Sequence, residues 1–344
     1  MHTHRQHIVV TGGAGYIGSV LIPRLLRENY NITVFDTFYF GKKSIHAYKD
    51  RIKIIQGDVR KPPKNLFRGV DAVIHLAALS NDPTAEFNPE ANAEINTAGT
   101  QIIAEMAKQQ GVKRFIFASS CSIYDLGLEA KIAIKNENSK VCPKNPYSKS
   151  KYLAEQALLQ MASPTFSPII LRKGTVFGYS PRMRYDLIIN TMVRDAICTK
   201  QLHIFCQGKQ WRPLVAIEDV AEAYMLALKK PRMKLHGKII NIASGNYRVE
   251  EVAKEVQKVF HDSFHEEIQL IYEQAYRPDR SYCVSMKRAK KVLDFESRHT
   301  MSASIYLLVK IILKHQELRK FKNPVFYNIE RMKPILQHIP LFSI

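Results

Sequence analysis

A tyrosine and a lysine four positions apart, Tyr147 and Lys151, are the side chains in this sequence most suited to chemistry. They follow Pro143 and Pro146, so we expect both on one face at the start of a helix. An ammonium on that face favours the phenolate and so lowers the pKa of the phenol from its ordinary value of about 10. A phenol with a lowered pKa can remove or return a hydroxyl proton while a hydride moves. The spacing therefore predicts proton transfer coupled to a redox step, although an exposed tyrosine and lysine at a helix start give the same letters.

Two serines, Ser119 and Ser120, come directly after a strand predicted over residues 113–118. Open α/β folds bind their ligands at the carboxyl edge of a parallel sheet, which is where the side chains after a strand lie. We therefore expect these hydroxyls to reach the same site as Tyr147.

A glycine-spaced turn follows the first apolar strand, in the segment VVTGGAGYIG at residues 9–18. Gly12 permits a tight turn, Gly15 lets the backbone approach a pyrophosphate, and Gly18 lets the following helix lie close to the strand. An ordinary glycine-rich turn has the same spacing. Here, however, a second strand ends in Asp36, near the position along the chain where an acidic residue that binds the adenosine ribose follows such a turn. Because a carboxylate repels the 2′-phosphate of NADP, the pattern predicts an NAD site.

Short β-branched runs alternate with longer helical patterns over the first 170 residues, which is typical of a parallel sheet with crossover helices. The predicted strands are 7–11, 31–36, 52–56, 71–76, 113–118 and 167–171, and the predicted helices lie near 15–29, 92–110 and 147–162. Beyond Arg172 the alternation is looser, with a helix near 218–229, a strand near 238–243 and a helix near 249–260. We therefore expect an α/β fold, a Rossmann-type doubly wound parallel sheet with a smaller, interleaved C-terminal substrate lobe.

The domain boundaries follow from the same alternation. Residues 1–172 are predicted to form the dinucleotide-binding domain, to which residues 213–243 return, and residues 173–212 and 244–344 the substrate-binding lobe. A basic amphipathic pattern over residues 302–321 fits a helix packed on its own domain or one lying on a membrane.

Length and composition indicate a globular enzyme rather than a disordered or fibrous chain. The 344 residues, 46% of them hydrophobic, can bury a substantial core. The five cysteines are scattered and form no C-x-x-C pair, which predicts reduced thiols and a cytoplasmic location. The sequence has neither an apolar signal core nor a run long enough for a membrane span, and its N-terminal histidines resemble a loose tail. We therefore expect no export, no membrane insertion and no metal site.

The net charge of +20 calls for an anionic partner. A nucleotide-linked substrate carries a pyrophosphate and needs two or three well-placed cations, whereas RNA or an anionic membrane draws on the whole surface field. Charge alone favours neither kind of partner.

The motifs taken in order resemble those of the extended short-chain dehydrogenase/reductase family, and specifically its NAD-dependent nucleotide-sugar epimerase/dehydratase branch. The resemblance runs from about Ile8 to about Phe295. It is carried by TGGAGYIGS, Gly57-Asp58-Val59, His75-Leu76-Ala77-Ala78, Ile95-Asn96-Thr97-Ala98-Gly99-Thr100, the stretch Ser119 to Tyr124, Pro146-Tyr147-Ser148-Lys149-Ser150-Lys151, Arg212 and Arg277-Pro278-Asp279.

The resemblance implies a hydride shuttle at a sugar carbon. Tyr147 would be the acid/base, Lys151 would hold the nicotinamide ribose and tune Tyr147, and Ser120 would bind the reacting hydroxyl. Asp58 and Val59 would hold adenine. The residues implied to bind NAD are Gly12, Gly15, Tyr16, Ile17, Gly18, Asp36, Asp58, Val59, Leu76, Ala77, Ala78, Asn96, Ser119, Tyr147 and Lys151.

The implied substrate is a nucleotide-diphosphate sugar, and the implied assembly is a homodimer formed through two helices of each subunit. Arg212 and Arg277 resemble the family's pyrophosphate clamps, because a planar guanidinium matches phosphate oxygens. Arg182 and Arg184 add two cations near the expected sugar pocket, although a solvated loop would also carry them.

One departure narrows the reaction. The family's 4,6-dehydratases place an Asp-Glu pair directly after the catalytic Ser or Thr, and here Cys121 and Ser122 stand in those places. A neutral thiol and a hydroxyl are poor acid/base groups at neutral pH, so dehydration is not expected. An epimerase, acting at C4 of the sugar, is favoured over a ketoreductase that uses the same residues once. A non-catalytic RNA-binding or regulatory member of the superfamily is the remote alternative, and no nucleic acid is expected as a partner.

Overall fold

A computed structural model describes residues 5–125, 133–141, 143–274 and 280–341. The strands in these ranges are β1 (His7–Thr11), β2 (Asn31–Asp36), β3 (Lys53–Gln56), β4 (Ala72–His75), β5 (Arg114–Ser120), β6 (Ile134–Lys135), β7 (Ser167–Lys173), β8 (Thr175–Phe177), β9 (Gln201–Ile204), β10 (Trp211–Ala216), β11 (Ile239–Ile242), β12 (Gly245–Arg248), β13 (Gln269–Tyr272) and β14 (Cys283–Val284).

The helices alternate with these strands through most of the chain. They are α1 (Gly18–Arg27), α2 (Asp82–Phe87), α3 (Pro89–Ala93), α4 (Gly99–Gln109), α5 (Pro146–Gln160), α6 (Ile188–Thr199), α7 (Ile217–Lys229), α8 (Arg232–Leu235), α9 (Val249–Phe264), α10 (Met301–Lys314) and α11 (Asn328–Leu336). A π-helical turn, Glu94–Ala98, joins α3 to α4. None of the helices in the described ranges is long and apolar enough to cross a membrane.

The main sheet has the strand order β11-β7-β5-β4-β1-β2-β3, and all of its pairings are parallel. The order reverses between β1 and β4, which is the point where open α/β sheets bind ligands. This topology confirms the predicted Rossmann-type fold. The strand predicted near 238–243 is β11, which lies at the edge of the main sheet beside β7.

The main sheet is buried on both faces, as a parallel sheet covered by crossover helices must be. All seven residues of β7 are buried. One face packs Val10, Ile74 and Ile116 against helices that include α1 and α7, and the opposite face packs Val9, Phe115 and others against α4 and α5.

The lobe is built on a small sheet of order β12-β10-β8 and on the parallel pair β13-β9. Its core includes Tyr185, Ile189, Val252 and Leu308. The basic amphipathic pattern predicted over residues 302–321 forms α10, and its buried apolar stripe packs into this core.

The last described segment, residues 323–341, which we name the C-terminal strap, returns to the dinucleotide-binding domain. Met332 and Leu336, four positions apart on α11, are buried in the same core cluster as residues of β4 and β5, and α11 packs against α2. Arg60 Nη1 donates to Pro340 O at 2.8 Å, and Arg331 Nε donates to Tyr39 O at 2.7 Å. The sequence prediction places residues 244–344 in the lobe, whereas the structure packs the strap on the other domain.

Candidate active site

A cavity of about 450 Å³ lies between the carboxyl ends of the main sheet and the lobe. It has the size of a small-molecule site. The structure brings together on its walls most of the site residues predicted from sequence, namely Gly12, Gly15, Tyr16, Ile17, Gly18, Asp36, Asp58, Val59, Leu76, Ala77, Ala78, Ser119, Ser120, Tyr147, Lys151, Arg182 and Arg184.

The glycine turn is packed too tightly for side chains. Gly12 has φ +67°, and a Cβ there would lie 2.6 Å from Ala77 N. A Cβ at Gly18 would lie 2.4 Å from Gly13 O. The turn therefore opens α1 with bare backbone, so that an anion can approach the positive end of the helix dipole closely.

Asp36 ends β2 beside this turn. Its Oδ2 accepts from Ala14 N at 3.0 Å and its Oδ1 accepts from Phe38 N at 2.8 Å. Burial raises the pKa of Asp36, and these two amide donors act in the opposite direction. Each carboxylate oxygen keeps a lone pair for a further donor, so the geometry fits the hydroxyls of a ribose.

Tyr147 and Ser120 meet at the opposite end of the cavity. The start of α5 is fixed by Asn145, whose Oδ1 accepts from Ser148 N at 2.8 Å, and by Pro146 in the first turn. This places Tyr147 where its hydroxyl shares a hydrogen bond with Ser120 at the end of β5.

The pKa of the Tyr147 phenol is raised, chiefly by burial and next by the charge of Asp82. The hydrogen bond with Ser120 and the positive charges of Arg280 and Arg184 act in the opposite direction. This result is opposite to the sequence prediction of a lowered pKa, because the spacing of two residues contains no information on how deeply the phenol is buried.

Lys151 is buried on the same helix, with its Nζ 4.9 Å from the centroid of the Phe117 ring. Burial lowers the pKa of Lys151 to about 7, and the charge of Glu155 opposes that shift. The ammonium is therefore easily converted to the amine at neutral pH, and a partner that accepts its hydrogen bonds would stabilise the charged form.

A buried polar network lies next to the elements that carry Tyr147, Ser120 and Lys151. Glu155 receives a hydrogen bond from Ser119 Oγ and forms an ion pair with Arg172 at 2.6 Å. Arg172 Nη1 donates to Tyr124 Oη at 2.6 Å. The Ser119 hydroxyl is thus directed at Glu155. Ser119 lines the cavity, but its hydroxyl is already engaged by that carboxylate.

Three predicted residues lie elsewhere. Asn96 does not line the cavity, because its side chain bonds Leu79 N at 2.8 Å and Ser150 Oγ at 3.1 Å and so ties the β4 loop to α5. Arg212 also lies outside the lining and donates to the backbone oxygens of Trp211 and Arg280. Arg277 falls outside the described residues.

Cys121 lies behind the sheet edge. Its Sγ donates to Arg172 O at 3.1 Å, and burial raises the pKa of its thiol. Neither Cys121 nor Ser122 lines the cavity.

The sequence analysis missed several cavity residues. Lys173 extends β7 two residues beyond the predicted strand, and its Nζ donates to Ser119 O at 2.7 Å. Arg280 and Asp82 form an ion pair of 2.7 Å on the cavity wall. Arg280 follows the Arg277 motif directly, so its position in the chain was a usable signal.

The C-terminal strap also lines the cavity, through Asn328, Ile329 and Met332. No local pattern indicates this role, because the strap reaches the cavity only after the chain has passed through the whole lobe.

Comparison with known proteins agrees with this geometry. The model of the NAD dependent epimerase/dehydratase family matches residues 8–243. A putative UDP-glucose 4-epimerase of Methanocaldococcus jannaschii is 30% identical over 244 residues, which cover 69% of this chain and 77% of that protein. A UDP-N-acetyl-alpha-D-glucosaminuronate decarboxylase of Bacillus cytotoxicus is 30% identical over 270 residues, which cover 75% of this chain and 82% of that protein.

A solved structure shares the architecture. MoeE5 in complex with UDP-glucuronic acid and NAD superposes with a TM-score of 0.76 and 25% identity, over 90% of this chain and 99% of that chain. Together with the match over residues 8–243, this confirms the predicted family and its cofactor type. The chain belongs to the NAD-dependent epimerase/dehydratase family.

Proposed function

We propose that this protein is an NAD-dependent nucleotide-sugar epimerase that inverts a sugar carbon, C4, by removing and returning a hydride. The observation that carries the proposal is the hydrogen-bonded pair Tyr147 and Ser120 at one end of a cavity whose other end is the glycine turn and Asp36. A dinucleotide whose diphosphate binds at the turn and whose adenosine ribose binds at Asp36 would place its nicotinamide near Tyr147 and Ser120.

The chain's own residues supply the proton chemistry. When bound, NAD supplies the hydride acceptor. Ser120 and Tyr147 hold the reacting hydroxyl, Tyr147 takes its proton as the carbinol becomes a ketone, and Tyr147 gives the proton back when the ketone is reduced. Lys151 stabilises the phenolate form through its charge. Because one group gives and takes the same proton, the cycle needs no external acid or base.

Arginines on the lobe side of the cavity are suited to the substrate's diphosphate. Arg184 lines the cavity, where its Nε donates to Asp186 Oδ1 at 2.8 Å and its Nη1 donates to Ser80 Oγ at 3.3 Å. Arg212 lies outside the cavity lining and Arg277 outside the described residues, so their role as pyrophosphate clamps stays a prediction from the sequence. We assign the diphosphate of a nucleotide sugar to this region.

Dehydration is disfavoured by the two residues that follow Ser120 in the chain. A 4,6-dehydratase needs a second acid/base pair at the sugar, and Cys121 and Ser122 are both buried outside the cavity lining. A decarboxylase remains the alternative suggested by several relatives, so the substrate panel should include nucleotide-linked uronic acids.

Contact of the lobe with the glycine turn favours an epimerase over a ketoreductase. Ser180 Oγ of the lobe donates to Tyr16 O at 2.8 Å, and an enzyme that regenerates its own cofactor has no need to release it. A ketoreductase exchanges its cofactor in every cycle.

The test is a panel of UDP-linked hexoses and uronic acids, incubated with purified protein and no added cofactor. We expect one sugar to be converted to its C4 epimer over many turnovers, with NAD recovered from the denatured protein by mass spectrometry. Product formation only with a 4-keto sugar and added reduced cofactor would establish the ketoreductase instead. Release of CO₂ from a uronic acid would establish the decarboxylase. An inactive panel together with tight RNA binding would establish the non-catalytic alternative.

A further inference from the structure

One cation in the cavity wall lacks partners for most of its donors. Arg182 is 6% exposed, and its Nη2 donates to Asn328 Oδ1 at 2.6 Å. Its Nε and Nη1 have no hydrogen-bond partner among the described residues. A buried charge with unsatisfied N–H groups is costly, so this side chain is suited to a ligand that supplies oxygens and negative charge.

The guanidinium is held rigidly in spite of its missing partners. Its Cζ lies 3.7 Å from the centroid of the Phe40 ring, in the loop after β2. Asn328, which anchors Nη2, is itself fixed because its Nδ2 donates to Ser80 Oγ at 2.9 Å and its N donates to Asp186 Oδ2 at 3.1 Å. A cation fixed in this way loses little entropy when it binds an anion.

No acidic side chain in the described part of the chain forms an ion pair with Arg182. Asp186 pairs with Arg184, and Asp36 accepts from backbone amides. Burial and the charge of Arg184 lower the pKa of Arg182 to about 9, while the more distant charges of Asp186 and Asp36 act in the opposite direction.

The segment that carries Arg182 rests on the glycine turn. Ser180 Oγ donates to Tyr16 O at 2.8 Å, and Arg182 N donates to Ser180 Oγ at 3.2 Å. Tyr16 Oη in turn donates to Gly178 O at 2.7 Å. Arg182 is therefore fixed beside the N-terminus of α1, where a dinucleotide diphosphate binds.

We propose that Arg182 binds the diphosphate of the dinucleotide cofactor, and not the nucleotide-sugar substrate, near whose sugar pocket its sequence position predicted it. The lobe then completes the cofactor site, and Arg184, two residues further along, remains on the substrate side. This proposal rests on the cavity being the NAD site and is independent of which sugar reaction follows.

The test compares Arg182→Met with wild type, both stripped of nucleotide, by isothermal titration calorimetry. Methionine keeps an apolar side chain over Phe40 and removes the charge. The probes are NAD, ADP-ribose, NADP and UDP. We expect the Kd values of NAD and ADP-ribose to rise about tenfold to a hundredfold, with the Kd of UDP within about twofold of wild type. Arg184→Met is the matched control, and we expect it to leave the Kd of ADP-ribose unchanged.

Three results would overturn the proposal. These are loss of UDP binding with ADP-ribose unaffected, no change for any probe, and a loss confined to NADP, which would place Arg182 at a 2′-phosphate. If Arg182→Met does not fold, as judged by circular dichroism, Arg182→Lys replaces it. A lysine retains the charge but not the fork, so we expect a smaller loss for NAD and ADP-ribose and again none for UDP. Unchanged ADP-ribose binding in a folded Arg182→Lys protein whose UDP binding is impaired would also contradict the proposal.

Discussion

The Tyr147 hydroxyl is the atom on which the proposed chemistry depends. It is half-buried, shares a hydrogen bond with Ser120, and lies in the field of Arg184 and Arg280. Burial favours the neutral phenol, whereas the neighbouring cations favour the phenolate, so the balance responds to what fills the cavity.

Tyr147→Phe removes this hydroxyl and little else. We expect kcat to fall about 100- to 10,000-fold, because the general acid/base is lost, while NAD binding and the thermal unfolding midpoint stay near wild type. The measurement is the rate of sugar conversion beside calorimetric NAD binding. Tyr152→Phe on the same helix is the control, and near-normal turnover by Tyr147→Phe would remove Tyr147 from the acid/base role.

Lys151 makes the stability of the cofactor-free protein depend on pH. Its pKa is about 7 in the folded protein, whereas an unfolded lysine has a pKa of about 10.4. Between these values the unfolded chain holds a proton that the folded protein has lost, so the free energy of unfolding rises with pH. Below about pH 7 both states are protonated, and the unfavourable contribution of the buried charge is fully present.

Lys151→Met should remove this dependence. We expect the variant to gain most over wild type below about pH 7, and the advantage to shrink as the pH rises toward about 9. The measurement is urea unfolding of both proteins, freed of cofactor, at three pH values across this range. A stability difference that is constant with pH would show that Lys151 keeps its ordinary pKa.

At the residue scale, the sequence predicts the position of a side chain well where a motif and its neighbours are close together in the chain. The glycine turn and Asp36 lie where their spacing predicted, because a strand, a turn and a helix are local. Asn96 and Arg212 could not be placed in this way, since their partners lie on distant segments such as Leu79 and Arg280.

At the element scale, α5 and β7 carry the site as one unit. The buried ion pair between Glu155 and Arg172 joins them at 2.6 Å, and Ser119 at the end of β5 donates to the same carboxylate. This network fixes the ends of two strands relative to the helix that presents Tyr147 and Lys151.

Glu155→Gln should therefore destabilise the fold by about 3–5 kcal/mol, because Arg172 would keep a buried charge without its counter-ion. The measurement is the free energy of unfolding in urea. The matched control is Glu28→Gln, which breaks the exposed ion pair of Glu28 with Lys229 and should cost less than about 1 kcal/mol. Equal effects of the two substitutions would argue against a structural role for the buried pair.

The elements themselves were largely predictable. Strands β1, β2 and β5 and helices α5 and α7 lie within a few residues of their expected positions, because periodicity and β-branched runs are local signals. The strap was not predictable. Its position depends on the packing of Met332 and Leu336 against a domain whose residues are far away in the chain.

At the scale of the whole molecule, lobe and strap both line the candidate cofactor cavity. Leu336 is buried against the dinucleotide-binding domain but does not line the cavity, so it reports on strap docking alone.

Leu336→Ala should weaken the docking of the strap and speed the release of bound cofactor at least about tenfold, since a buried Leu→Ala change costs about 2–5 kcal/mol. The measurement is the decay of NADH fluorescence when excess ADP-ribose displaces the bound cofactor. Leu318→Ala is the control, because it truncates a buried side chain of the lobe core just before the strap begins. The same release rate in both variants would show that the strap does not retain the cofactor.

The most direct measurement follows a deuterium atom placed on C4 of the UDP-sugar that the protein converts. If Tyr147 and bound NAD remove and return one hydride within a closed cavity, the deuterium should remain on C4 of both epimers, with none in water and no reduced cofactor in solution. Products that carry ordinary hydrogen at C4, or deuterium recovered in the solvent, would contradict the proposed reaction.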